Sequence, residues 1–187
     1  MAHNGFSSGP RFNSWSARLS YNPTPAWALQ VSQARINDAH ATGPREDVNK
    51  TTASAVHSLG WDGDKALNTT AVWGYNNAVG GHHPDSHSLL LGSVLSLGNT
   101  AVYGRYEWVE KATGDLLLDG SLYGEQTLFP LNALTLGIQW NLANVLKTNM
   151  AVGLQGSLYV ALGELEPVYG KARLGLQAYL RIYPGRM

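Results

Sequence analysis

Cysteine is absent from the 187 residues, which removes disulfides, thiolate nucleophiles and cysteine metal sites together. Charge is scarce as well. Only 14% of residues are Asp, Glu, Lys or Arg, against about a quarter in an ordinary soluble domain, so solubilising surface is short. Thirteen basic and thirteen acidic side chains cancel to a net charge of zero, giving no reason to expect nucleic acid or an acidic lipid surface as partner. Long apolar runs are missing too. The stretch Ser88 to Leu97 is interrupted by Ser and Gly, whereas a membrane helix needs about 20 consecutive apolar residues. The opening Met1-Ala-His-Asn-Gly-Phe-Ser-Ser-Gly-Pro has no basic start followed by an apolar run, so it does not read as a secretion signal.

What remains is a chain with 21 Gly, 8 Pro and 44% hydrophobic residues, whose apolar positions recur at spacing two. That is the period of a strand, and about nine strands are legible. Residues 1–11 read as an N-terminal loop segment and 12–187 as the strands and their connections. The first strand, Phe12 to Tyr21, sets Trp15, Ala17, Leu19 and Tyr21 against Ser14, Ser16, Arg18 and Ser20, and Asn22-Pro23-Thr24-Pro25 is expected to turn the chain. The second, Ala26 to Ile36, begins with Trp27, Leu29 and Val31 on one face, but Gln33 and Arg35 follow in phase. A bulge or an exit from a membrane would each explain this. The third, Lys50 to Leu59, has ambiguous facing. The fourth, Leu67 to Asn76, sets Leu67, Thr69, Ala71, Trp73 and Tyr75 against Asn68, Thr70, Gly74 and Asn76.

The fifth strand places Leu89, Leu91, Leu95 and Leu97 together, and Gly98-Asn99 marks a tight hairpin into the sixth. There Val102, Tyr106 and Trp108 oppose Tyr103, Arg105, Glu107 and Lys111. A long loop is expected to about Pro130. The seventh strand sets Leu134, Leu136, Ile138, Trp140 and Leu142 against Thr135, Gly137, Gln139 and Asn141; the eighth sets Met150, Val152, Leu154, Leu158 and Val160 against Gly153, Gln155, Ser157 and Tyr159; and the ninth sets Leu174, Leu176, Ala178, Leu180 and Ile182 against Arg173, Gly175, Gln177, Tyr179, Arg181 and Tyr183. Connections alternate short and long along the chain, as in outer-membrane barrels with short periplasmic turns and longer external loops.

The expected fold is therefore all-β, an antiparallel up-and-down transmembrane β-barrel. A soluble barrel would also alternate, but its exterior would be rich in Lys and Glu. Here the polar face is mostly Gly, Ser, Thr, Asn, Gln and Tyr, which suits a lumen, and the Leu, Val, Ile and Trp face suits lipid. Closure would follow because each unpaired backbone group in hydrocarbon costs several kcal/mol. The lumen-facing candidates are Arg18, Arg105, Glu107, Lys111, Gln139, Gln155, Tyr159, Arg173, Gln177 and Arg181. Trp15, Trp27, Trp73, Tyr106, Trp108 and Trp140 fall mostly toward strand ends, where amphipathic rings prefer the headgroup zone. Single-chain bacterial barrels have even strand numbers, so a count of nine carries the expectation of at least one further upstream strand.

Asn22-Pro-Thr-Pro-Ala-Trp-Ala-Leu-Gln-Val-Ser, Thr51-Thr-Ala-Ser-Ala, Thr69-Thr-Ala-Val-Trp-Gly, Val102-Tyr-Gly-Arg-Tyr-Glu-Trp-Val-Glu-Lys, Leu165-Glu-Pro-Val-Tyr-Gly and Leu180-Arg-Ile-Tyr-Pro-Gly-Arg-Met resemble, in order and spacing, a family of uncharacterised Gram-negative outer-membrane barrel proteins. The resemblance covers nearly the whole chain, as the C-terminal part of longer members. It implies a bacterial outer-membrane location and transfers no catalytic residue.

Chemistry beyond the barrel is sparse. His82, His83, Asp85 and His87 carry metal-ligand groups, but in an expected external loop, and no metal or other cofactor is expected. Trp61-Asp62-Gly63-Asp64 covers only a fragment of a calcium loop and reads as a turn. His57 is the one histidine expected within a strand, with no Ser or Asp tied to it by a recognisable motif, so the chain is expected not to be an enzyme. The leading expectation is a porin-like channel or passive transporter with a polar lumen, whose partners are outer-membrane lipid and small solutes or ions. The alternatives are a structural or adhesive barrel with a plugged lumen and partner-binding loops, and a soluble ligand-binding barrel.

Overall fold

The computed structural model describes residues 13–37, 47–61, 63–80, 84–145, 148–161 and 163–184. Nine strands follow one another in sequence and in space: β1 Trp15–Thr24, β2 Trp27–Ile36, β3 Asp47–Trp61, β4 Lys65–Val79, β5 Ser86–Leu97, β6 Thr100–Ala112, β7 Leu128–Val145, β8 Thr148–Ala161 and β9 Ala172–Pro184. Every strand pairs antiparallel with its predecessor, in a single sheet of order β1 to β9. The only helical turns among the described residues are the short α1 Gly120–Tyr123, a 3-10 turn Gly163–Leu165 and α2 Glu166–Tyr169. Among the described residues no helix is long and apolar enough to cross a membrane. The N-terminal loop segment expected over 1–11 lies outside the described residues.

The sheet is open. Among the described residues β1 pairs only with β2 and β9 only with β8, so each keeps one backbone edge with no described partner. An odd number of alternating strands makes β1 and β9 run in the same direction, and a seam between them would have to be parallel. The ring closure expected from the sequence is not present within these nine strands.

Three expected details change. The chain does not turn at Asn22: β1 continues to Thr24, the turn falls at Pro25 and Ala26, and the β1–β2 register shifts between Tyr21 and Thr24. An edge strand at a bulge is where a strand tolerates proline. Gln33 and Arg35 need no bulge, since β2 pairs with β3 from Trp27↔His57 to Ile36↔Val48 without a break. Strands β3 and β4 are each 15 residues long, because polar residues such as Asn49 and Asn77 pair across the ladder although they lack the alternation that marks a strand. The Gly98-Asn99 hairpin forms as read, with Leu97 opposite Thr100 and Gly98 at φ +61°.

Candidate functional site

Register sorts the side chains, since residues directly opposite in a ladder share a face. The chain of pairs Arg18↔Ser32↔Thr52↔Gly74↔Ser88↔Val109↔Leu131↔Ala161 defines one face across eight strands. Arg105, Glu107, Lys111, Gln139, Gln155, Tyr159, Arg173, Gln177 and Arg181 alternate onto that same face. All ten residues expected to share a polar face therefore do so. Lys50 joins them, opposite Ala34 and Asn76; sequence reading missed it because the facing of the third strand was ambiguous.

Over β5–β9 the sheet curls toward this polar face. Val94, Tyr103, Gln139, Gln155 and Tyr179, drawn from five adjacent strands, line one cavity of about 490 Å3. Ala151, Thr135 and Ser157 are buried there, while Leu136, Leu154 and Leu176 on the other face are 60%, 53% and 80% exposed. The curled region is held by a polar network. The Tyr103 hydroxyl donates to Gln155 Oε1 at 2.9 Å and meets the Tyr179 hydroxyl at 3.2 Å, and Gln155 Nε2 donates to Gln177 at 2.9 Å. Thr135 and Ser157 hydroxyls pair at 2.8 Å beside it. Both tyrosine rings lie over glycine: a Cβ on Gly137 would overlap the Tyr103 ring and one on Gly153 the Tyr179 ring. Glycine in a strand marks such a close approach. The charges form two arrangements on this face. Arg105 Nε reaches Glu107 at 3.1 Å, whereas Arg18 bonds the Ser32 hydroxyl, Arg173 donates to the Tyr169 carbonyl, and Arg181 stacks 5.0 Å from the Tyr183 ring centroid.

The opposite face is an apolar band. Trp15, Trp27, Trp73, Tyr106, Trp108 and Trp140 all fall on it, most of them in two belts. Tyr21, Trp27, His57, Trp61 and Trp140 lie toward the short-turn end and Trp15, Tyr75 and Trp108 toward the long-loop end, with Trp73 and Tyr106 between them, near the middle of β4 and β6. Among the described residues the charges on this face are Arg35, Asp47, Lys65 and Glu110, all at or near strand ends. Along the β6–β7 pair, Trp108 and Trp140 are eight ladder steps apart, since Trp140 faces Thr100. At about 3.4 Å per step that is roughly 27 Å along the strands. His57 packs on Trp27 with ring centroids 4.5 Å apart; it is a belt residue with an aromatic neighbour.

The long-loop end carries structure that periodicity could not show. Leu165 is fully buried against Phe129 and Ala161, with Leu116, Leu118, Tyr123 and Tyr169 packed around them. The Tyr169 hydroxyl donates to the Leu116 carbonyl at 2.8 Å, tying the β8–β9 loop to the β6–β7 loop. Phe129 and Ala161 belong to the polar-face phase, so this apolar knot sits over the loop end of the polar face. A cavity of about 460 Å3 is bounded by Leu116 and Tyr169 of the loops and by strand residues including Glu107, Tyr159 and Arg173.

Of the metal-ligand types singled out, His82 and His83 lie outside the described residues. Asp85 is occupied otherwise: Tyr75 donates to it at 2.6 Å, Asn77 at 2.9 Å and the Ala78 N–H at 3.2 Å. His87 stacks on Tyr75 at 4.8 Å between ring centroids. No group of three or more acidic or imidazole side chains is placed to hold a metal among the described residues. The Tyr75 hydroxyl first, then Asn77, holds the Asp85 carboxyl below the usual carboxylate range. A depressed folded-state value means that this loop anchor is at full strength above the ordinary range and weakens as pH falls through the lowered value. Carboxyl-resolved NMR titration will show an Asp85 midpoint below that of an unstructured Asp, and Tyr75→Phe will move it back up; an unchanged midpoint in that variant would assign the depression to another cause.

No protein-family model matches the chain, and neither a curated protein nor a solved structure shows significant similarity to it.

Proposed function

We propose that these nine strands are the wall of a bacterial outer-membrane β-barrel that serves as a porin-like channel or passive transporter of small solutes or ions. One observation carries this: a charge-free, exposed apolar band bounded by two aromatic belts is backed by a face bearing the strands' hydrogen-bonded polar network. Water would disfavour so much exposed leucine in one patch, whereas lipid accepts it and demands satisfied backbone. Strands tilted by about 40° convert the belt-to-belt spacing into roughly 21 Å, close to the ~25 Å band of outer-membrane barrels. On this reading Gln33, Arg35, Asn49 and Asn77 lie where the strands leave the bilayer. Both unpaired edges must then be joined in an even-numbered ring. The resemblance to Gram-negative barrel proteins points the same way.

Refolding in detergent followed by gel electrophoresis with and without boiling tests the reading. A faster-migrating unboiled band and β-rich circular dichroism are expected. A chain that stays soluble without detergent and shows no shift would instead favour a soluble ligand-binding barrel. One specific observation favours a plugged structural or adhesive barrel, namely the apolar knot of Leu165, Phe129 and Tyr169 over the loop end. Conductance across a planar bilayer separates it from an open channel.

A further inference from the structure

The net charge of the chain is zero, but the fold does not distribute that charge evenly. On the described strands the polar face carries Arg18, Lys50, Arg105, Lys111, Arg173 and Arg181 against a single carboxylate, Glu107. The other described carboxylates lie in turns, loops and short helices or, as Asp47 and Glu110, near strand ends on the apolar face. Glu107 neutralises Arg105 and the loop residue Asp115 approaches Lys111 at 3.8 Å. Arg18, Lys50, Arg173 and Arg181 have no carboxylate partner among the described residues, and all four are exposed.

We infer that the polar face selects anions, so that the solutes admitted are small inorganic anions or molecules bearing a carboxylate or phosphate. This rests on the channel reading and names its substrate class. A passage lined by one sign of charge between low-dielectric walls concentrates counter-ions and repels co-ions. The basic residues are spread along the passage: Lys50, Lys111 and Arg173 near the loop end, Arg18 and Arg105 farther in, Arg181 near the short-turn end. Among the described residues Arg181 is also the one charged residue lining the 490 Å3 cavity, beside the side-chain amides of Asn141 and Gln155. A guanidinium beside amide groups suits a carboxylate or phosphate, which it can hold by two parallel N–H bonds.

The test is the reversal potential of the channel in a planar bilayer under a tenfold KCl gradient. A lumen potential of one kT raises anion and lowers cation concentration e-fold each, so chloride permeability should exceed that of potassium by about sevenfold. The triple variant Lys50→Gln, Arg173→Gln, Arg181→Gln should lower that ratio by about threefold or more. Glu107→Gln, which removes charge of the other sign, should raise it and guards against a triple variant that does not fold. A conducting wild type that prefers potassium, or a ratio that no variant moves, overturns the inference and leaves the channel intact. A heat-modifiable barrel that never conducts overturns the channel reading and the inference with it.

Discussion

Arginine placed at both Leu136 and Leu176 will abolish insertion of the refolded chain into lipid vesicles, while arginine at Thr52 will leave it near normal. The two leucines stand on the apolar face either side of Gly156, and both are largely exposed. Arginine at the bilayer midplane costs about 2 to 4 kcal/mol on the lipid face. Two such residues on separate strands cost roughly twice that, a large share of the ~5–15 kcal/mol that holds a domain together. Thr52 is exposed on the opposite face in the Arg18–Ser32 row, where a long cation meets water. The fraction of heat-modifiable band after refolding into vesicles is the readout. Normal insertion of the double leucine variant would mean that the apolar face does not meet lipid, and equal damage from Thr52→Arg would mean that the two faces are not distinguished by solvent.

The second large effect concerns the tyrosines laid over glycine. Gly137→Val and Gly153→Val will each destabilise the sheet, because the added side chain occupies the space of the Tyr103 or Tyr179 ring. Overpacking of this kind costs about 1 to 3 kcal/mol, and displacing either ring also breaks the hydroxyl contact that joins β6 to β9 across two intervening strands. Tyr103→Phe keeps the ring and removes the hydroxyl, so its cost should be smaller, about 0.5 to 1.5 kcal/mol. Urea unfolding in detergent measures all three. The decisive comparison is Tyr103→Ala combined with Gly137→Val: if ring and valine compete for one space, the double variant loses much less than the sum of the singles. Additive losses would remove the steric argument.

Much of the fold was legible along the chain because a strand's side chains alternate. Leu134, Leu136, Ile138 and Trp140 identify an apolar face of β7 without knowledge of any neighbour, and the short and long spacings between such runs identify the order of turns. Local signals were weaker where polarity masked pairing. Asn49 and Asn77 look like loop residues and lie in ladders; Pro23 looks like a turn and lies within an edge strand. The site was legible to the same degree. The ten polar-face residues followed from alternation alone, but Lys50 did not, since Lys50 to Leu59 alternates Ser, Thr and Ala too evenly to declare a side.

By itself the sequence determined the strand class, the absence of a spanning helix, the identity of most residues on each face and the aromatic enrichment near strand ends, all of which depend on spacings of one or two residues. Tertiary structure decided the rest. Exact register sorted a neutral composition into a basic face. Contacts over more than fifty residues brought Tyr103 to Tyr179 and Leu116 to Tyr169. The open edges of β1 and β9 arise from how many strands stand side by side. Such features belong to pairs of residues far apart in the chain, and short-range alternation carries no record of which distant strand a residue will face.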